Sequence, residues 1–249
     1  MTSKLYIGCA GWAISGQHAE HFPSDGTHLA RYALRFNAVE INSSFYRPHK
    51  PETYARWAAS TPAEFRFAVK MPRAITHEAR LIDCDAEIEA FVSQVMNLGD
   101  KLGPVLVQLP PKLDFRFETV EAFLTTVRER FKGDIACEPR HASWFTPEAE
   151  ALLTQHRVAR VAADPAPHPT AGQPAAWRGL TYLRLHGSPR MYYSSYDASF
   201  LDRLVGDLDK YAASGPAWCI FDNTAMGAAT ENAIAVQERI TRRLPRPAS

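Results

Sequence analysis

The chain has 249 residues, 28 of them basic and 27 acidic, for a formal net charge of +1. That near-neutrality excludes a surface coated with base for indiscriminate nucleic-acid binding and leaves room only for a local patch. Hydrophobic residues make up 46% and charged residues 22%, so the chain can bury a sizeable core and is not globally disordered. No apolar run approaches membrane-span length, and Met1 to Trp12 reads as a strand rather than a signal peptide, so a cytoplasmic location is expected. The four cysteines, Cys9, Cys84, Cys137 and Cys219, form no C-x-x-C pair and read as buried thiols.

In chain order, Lys4 to Cys9 is the first strand, and Gly11, Trp12 and Gly16 open a long loop. Leu29, Tyr32, Ala33 and Phe36 have helical spacing. The stretch Phe36 to Pro48 holds a second strand, with Val39 and Ile41 on one face and Glu40 and Asn42 on the other. Pro51 suits a first helical position and Tyr54, Ala55 and Trp57 continue that helix. Phe65 to Met71 is the third strand. Asp85 is placed to cap a helix with the stripe Ile88, Phe91, Val92 and Val95, and Gly99 to stop it. Pro104 to Leu109 is the fourth strand; Phe117, Val120, Leu124 and Val127 mark the next helix. Ile135 to Glu138 is the fifth strand, and Thr146 with Pro147 starts a helix to His156. Val158 to Ala163 is the sixth strand. Asp164 to Gly179 holds four prolines without helical period and reads as a loop in place of the sixth helix. Leu180 to His186 is the seventh strand, Ser199 the cap of a helix through Tyr211, Ala217 to Asp222 the eighth strand, and Ala229 to Leu244 the closing helix.

Strands alternating with helices imply parallel pairing. Eight such units in one domain, residues 1–249, predict an α/β fold of the closed (β/α)8 TIM-barrel type. An open doubly wound sheet is the alternative, but G-C-A-G-W after the first strand is a poor phosphate turn.

In such a barrel the functional groups stand at the C-terminal strand ends. Three ends carry polar pairs at i and i+2: Glu40/Asn42, Glu138/Arg140 and Arg184/His186. That spacing puts both members on one face, so the pairs converge on a shared mouth with Lys70, Gln108 and Asn223. Each pair also has a plainer reading. Glu40 with Lys70, or Glu138 with Arg140, can be an ion pair, and His186 a hydrogen-bonded core histidine. Glu40, Glu138, His186 and Asp222 are the residues a metal would draw on, but no compact ligand spacing such as H-x-x-x-H occurs, and neither metal nor cofactor is expected. Lys70 as an imine-forming nucleophile is chemically possible in a dry barrel, with nothing in the sequence that singles it out. Two aromatic loops are expected over the mouth, Phe45 and Tyr46 after the second strand, and Met191, Tyr192, Tyr193 and Tyr196 after the seventh.

F-N-A-V-E-I-N-S-S-F-Y-R-P, F-R-F-A-V-K-M-P with I-T-H at Ile75 to His77, V-L-V-Q-L-P-P, E-P-R-H-A-S-W, Y-L-R-L-H-G and I-F-D-N together resemble the YecE-like family, also called domain of unknown function 72. The resemblance covers almost the whole chain. It implies a TIM barrel related in shape to the sugar isomerase and endonuclease IV barrels, and brings no established activity. The family often has two asparagines where this chain has Asp222 and Asn223, and the loop Ala13 to His21 lacks the aromatic-rich pattern usual after Trp12.

The expected function is an enzyme acting on an anionic, phosphate- or sugar-bearing molecule at the C-terminal mouth. It would be a metal-independent acid/base hydrolase, lyase or isomerase. Glu40, Lys70, Glu138 and His186 are the candidate catalytic residues, and Asn42, Tyr46, Gln108, Arg140, Arg184, Tyr196 and Asn223 the candidate substrate contacts, with Arg184 as principal holder of the anion. A nucleic-acid or DNA-lesion binder of endonuclease-like shape and a non-catalytic metabolite binder are the alternatives. No membrane partner is expected.

Overall fold

The computed structural model describes residues 5–243, so the expected start at Lys4 and end at Leu244 lie outside the described residues. Strands and helices alternate through β1 (Leu5–Cys9), α1 (His28–Ala33), β2 (Ala38–Ile41), α2 (Pro51–Ala59), β3 (Arg66–Lys70), α3 (Asp85–Val95), β4 (Leu102–Gln108), α4 (Phe117–Arg130), β5 (Ile135–Glu138) and α5 (Pro147–Gln155). Then come three short strands, β6 (Val158–Arg160), β7 (Ala162–Asp164) and β8 (Ala175–Ala176). The chain continues with β9 (Thr181–Leu185), α6 (Ala198–Ser214), β10 (Ala217–Phe221) and α7 (Ala228–Arg243). Between β7 and β9 there is no helix, as the prolines of that segment dictate.

Local chemistry explains most boundaries. The Thr146 hydroxyl accepts from the Ala149 amide at 3.3 Å with Pro147 at the first helical position, and Thr27 caps α1 in the same way at 3.2 Å. Two expected caps differ. Asp85 is the first residue of α3 rather than its cap. α6 is capped by Asp197, whose carboxylate accepts from the Phe200 amide at 2.8 Å, and the Ser199 hydroxyl merely donates to that carboxylate. A carboxylate is the better acceptor at the positive end of a helix, so it takes the role when both are in reach. In β4 the pairing with β3 slips between Phe67/Leu102 and Val69/Val105, and Pro104, which has no N–H to offer, sits in that slip.

The strands form two sheets, β1-β10-β9-β7 and β2-β3-β4-β5-β6-β8, in which every pairing is parallel except β6 with β8. The expected single strand Val158 to Ala163 divides at Val161: β6 pairs with β5 and β7 with β9, so the chain passes from one sheet to the other there. At the opposite side the sheets meet through a parallel bridge between Ala10 and Glu40, with the Gly11 amide donating to the Glu40 carbonyl at 2.9 Å.

Side chains alternate across each strand. Val39, Ile41, Val69, Val107, Cys137, Leu183, Leu185 and Phe221 face the helices and join the large core. The opposite face carries Ala38, Ala68, Leu106, Ala136, Tyr182, Trp218 and Ile220, a second cluster that draws on both sheets. Its small alanines are matched by large rings. The Trp218 ring reaches across to Gly103, where an added Cβ would lie 2.5 Å from it, and a Cβ on Gly8 of β1 would lie 2.0 Å from the Ala38 carbonyl of β2. All four cysteines are buried and free. The architecture is thus a single-domain mixed α/β fold with parallel sheets whose inner faces pack on each other.

Candidate functional site at the strand ends

Two residues farther along the inner face, six members of the second cluster give way to a polar group. Ala38 leads to Glu40, Ala68 to Lys70, Leu106 to Gln108, Ala136 to Glu138, Tyr182 to Arg184 and Ile220 to Asp222. The apolar layer is therefore roofed by a charged layer at the C-terminal strand ends. All six polar residues are buried, and so is His186 beyond Arg184.

Arg184 is the hub. Its Nη2 donates to Glu40 Oε1 at 2.7 Å and lies 3.1 Å from Asp222 Oδ2, its Nε donates to Glu40 Oε2 at 2.9 Å, and its Nη1 donates to Glu138 Oε2 at 3.0 Å. Tyr182 donates to Glu40 Oε2 at 2.9 Å from the layer beneath. Glu138 also accepts from Arg140 Nη2 at 2.9 Å and from Gln108 Nε2 at 3.2 Å. His186 stands between carboxylates, with Nδ1 3.0 Å from Asp222 Oδ2 and Nε2 3.0 Å from Glu138 Oε1.

The charge states follow from these contacts. Burial alone would raise the Glu138 carboxyl, but Arg184, His186 and Arg140 together hold it well below the usual range. Asp222 is likewise held down, against burial, by Arg184 and its bond to His186. Burial opposes the His186 cation, yet Glu138 and Asp222 raise its pKa above the usual histidine value, which favours the form in which each ring nitrogen donates to the carboxylate 3.0 Å away. Three carboxylates are matched by three cations in direct contact: Glu40, Glu138 and Asp222 by Arg184, Arg140 and His186.

Lys70 is left over. It is 5% exposed, and its ammonium makes no hydrogen bond or ion pair among the described residues. It sits 4.0 Å from the centre of the Phe45 ring. Burial, then the Arg184 charge, bring its pKa down to about 8 against the opposing pull of Glu40, Asp222 and Glu138. The plainer sequence reading, an ion pair of Glu40 with Lys70, is thus replaced by Glu40 with Arg184, because a planar guanidinium offers two parallel donors to one carboxylate.

The remaining candidates divide. Arg140 keeps its Nη1 facing only the Met191 sulfur at 3.8 Å. Asn42 follows β2, and its Oδ1 is buried without a partner. Tyr46 is 69% exposed and packs edge-on against Phe45. Asn223 donates to the Ser194 carbonyl and to Asn232, at 2.9 Å each, and pins the loop after β9. Two expectations need correction. Arg184 is 0% exposed with its donors aimed at protein carboxylates, so it braces the site instead of holding an anion directly. Tyr196 does not face the mouth. It stacks on Phe200 at 4.2 Å, and its hydroxyl donates to Asp164 and accepts from the Gly187 amide, each at 2.8 Å. Of the tyrosines after β9, Tyr192 is the one at the charged cluster, where its ring meets His186 edge-on at 5.7 Å.

Sequence reasoning missed Tyr182, whose position two residues before Arg184 was the available signal, and gave Asp222 too little weight. Among the described residues no group of three or more histidine, cysteine, aspartate or glutamate side chains is arranged to hold a metal ion. A cavity of about 500 Å³ opens beside Trp12 and the Thr224 to Gly227 turn, but no charged side chain lines it. No described helix is long and apolar enough to cross a membrane.

An α/β scaffold of parallel strands, carrying a buried charged cluster at their C-terminal ends, is the class of protein that this geometry defines. The chain belongs to the family described as protein of unknown function DUF72, which matches residues 6–249. It is 32% identical to the UPF0759 protein YecE of Escherichia coli K12 over 169 residues, 66% of this chain and 60% of that protein. With the UPF0759 protein YunF of Bacillus subtilis strain 168 it shares 34% over 154 residues, 57% of this chain and 53% of that protein. The chain thus spans little more than half the length of these curated relatives. A DUF72 family protein of Enterococcus faecalis V583 has the same fold, with a TM-score of 0.79 at 22% identity over 98% of this chain and 99% of that one. One from Thermotoga maritima MSB8 matches at 0.77 and 23% over 95% and 99%.

Proposed function

We propose that the strand-end cluster is the floor of an enzyme site that takes a small phosphate- or carboxylate-bearing molecule. The observation that carries this reading is the depth and balance of the cluster. Burying six charged groups is expensive, and well-packed apolar residues serve stability as well or better. Fixed, desolvated charges aimed at one point are what stabilisation of a developing charge requires. Within the described cluster, Arg140 Nη1 and the Lys70 ammonium are the two cationic donors with no carboxylate partner, and they would meet the anion. Arg184 would hold Glu40, Glu138 and Asp222 in place, and protonated His186 is the acid in reach of the mouth. The loop bearing Met191 and Tyr192 covers the ligand side.

This placement rests on a further proposal, that the two sheets close into a (β/α)8 barrel spanning the chain. The Ala10–Glu40 bridge, the passage at Val161 and the shared inner cluster support it. Exposed Tyr46, Tyr192 and Tyr193, with the Arg190 guanidinium 3.9 Å over the Tyr193 ring, favour nucleic acid as a second reading. Calorimetric titration separates the two. Inorganic phosphate and acetate should bind wild type and lose roughly tenfold in affinity or more in Arg140→Ala, the worth of about one charged hydrogen bond. Tight binding of short abasic DNA, with phosphate and acetate silent, would overturn the small-anion reading.

A further inference from the structure

A buried lysine normally has a carboxylate beside it, because an uncompensated charge is costly to desolvate. Lys70 has none. Every carboxylate near it is committed. Glu40 takes Arg184 through two nitrogens and Tyr182 through a third bond, Glu138 takes Arg184, Arg140, His186 and Gln108, and Asp222 takes Arg184 and His186. The described cluster is balanced without Lys70, so a protonated Lys70 leaves it with one excess positive charge and a neutral Lys70 leaves it even.

Its surroundings are those of a nucleophile. The Phe45 ring forms one wall at 4.0 Å, and His77 stands edge-on to the same ring at 4.9 Å. Asn42 follows the neighbouring strand β2, and its buried Oδ1 lacks a donor and is available to one on an incoming molecule. The other lysines of the described chain are differently placed. Lys101 is spent on the Ala58 and Thr61 carbonyls at 2.6 Å each, Lys132 on the Arg128 carbonyl at 2.5 Å, and Lys210 on Asp207 at 2.8 Å, while Lys50 and Lys112 are exposed.

We propose that Lys70 forms an imine with the carbonyl carbon of a small aldehyde or ketone whose carboxylate or phosphate is received by Arg140. The inference rests on the anion reading of the mouth and narrows its substrate class to carbonyl compounds. The neutral amine nitrogen bonds to the carbonyl carbon, and the π electron pair moves to oxygen, which takes a proton. Nitrogen then gives up a proton, oxygen leaves as water with a second one, and the nitrogen lone pair closes the C=N bond. Closure therefore gives the iminium: amine plus carbonyl plus one proton yield iminium plus water, and loss of the remaining N–H proton would give the neutral imine. The iminium cation withdraws electrons from the adjacent carbon, as covalent amine catalysis requires. The depressed pKa of about 8 agrees with this role, since it keeps half of Lys70 neutral at pH 8. An ordinary lysine is roughly a hundredfold less neutral at that pH.

The test is reductive trapping on the wild-type protein. Glyoxylate, an aldehyde next to a carboxylate, is added at pH 8 with sodium borohydride, which delivers hydride to the imine carbon and fixes the adduct as a carboxymethyl group. Acetaldehyde is the uncharged control, and peptide mass mapping reads the site. The expected result is an adduct on Lys70 at least tenfold above that on exposed Lys50 and Lys112, suppressed by added phosphate and weaker with acetaldehyde. Lys70→Met should remove that adduct and keep circular dichroism unchanged. If phosphate and acetate bind wild type by calorimetry but Lys70 is not preferentially labelled, the imine inference is wrong and the anion site stands. If neither binding nor selective labelling occurs, both fail.

Discussion

Replacing Arg184 by Met should destabilise the fold severely. The guanidinium contacts three buried carboxylates, at 2.7 and 2.9 Å to Glu40, 3.0 Å to Glu138 and 3.1 Å to Asp222. Glu138 would keep Arg140 and His186, and Asp222 would keep His186, but Glu40 would retain only the Tyr182 hydroxyl. Removing one partner of a buried pair costs about 3–5 kcal/mol, because the other charge stays behind unpaired. For a chain of this size each kcal/mol moves Tm by about 2–4 °C, so a fall of roughly 6–20 °C is expected. Urea unfolding followed by circular dichroism reads the same loss as a lower midpoint at unchanged slope. Adding Glu40→Gln to Arg184→Met should recover about 1–3 kcal/mol, since the orphaned charge is then gone. A single variant within 1 kcal/mol of wild type, or a pair that is simply additive, would refute the argument that Arg184 neutralises Glu40.

Tyr182→Phe should cost about 1.5–3 kcal/mol, the worth of a hydrogen bond to a charged acceptor, measured by urea midpoint. Gly8→Ala should cost at least about 1–3 kcal/mol by overpacking, because its Cβ would meet the Ala38 carbonyl at the seam between sheets, and a neutral effect in thermal unfolding would argue against that close approach. Stability should also depend on pH in two directions. The contribution of depressed Glu138 and Asp222 is complete above their unfolded pKa of about 4 and is lost as pH falls through their lower folded values. That of raised His186 is complete below its unfolded pKa of about 6.5 and is lost as pH rises through its higher folded value. A plateau between pH of about 4.5 and 6.5 is expected, and His186→Gln should abolish the alkaline decline in a pH series of Tm.

Much of this site was legible in the sequence because alternation along a strand is a strict geometric rule. Glu40, Lys70, Gln108, Glu138 and Arg184 stand two residues beyond apolar neighbours, and all point inward as that spacing requires. Depth and partner choice were not legible. Spacing cannot say that Arg184 sits low enough to gather three carboxylates while Lys70, on the same layer, gathers none. Tyr196 and Tyr192 look alike in a loop rich in tyrosine. What separates them is the cap at Asp197, which fixes the start of α6 and turns Tyr196 onto Phe200. The break at Val161 was hidden because a strand that changes sheets keeps the same apolar pattern on both sides of the passage.

With three carboxylates taken up by Arg184, Arg140 and His186, Lys70 is left an unpaired amine. Nuclear magnetic resonance of lysine side chains labelled with 13C at Cε and 15N at Nζ, titrated from pH 6 to 11 and assigned with Lys70→Met, measures it directly. One lysine should titrate near pH 8, with a midpoint that rises when Arg184→Lys loosens the hold on Glu40. A Lys70 midpoint above about 10, where ordinary lysines titrate, would contradict it.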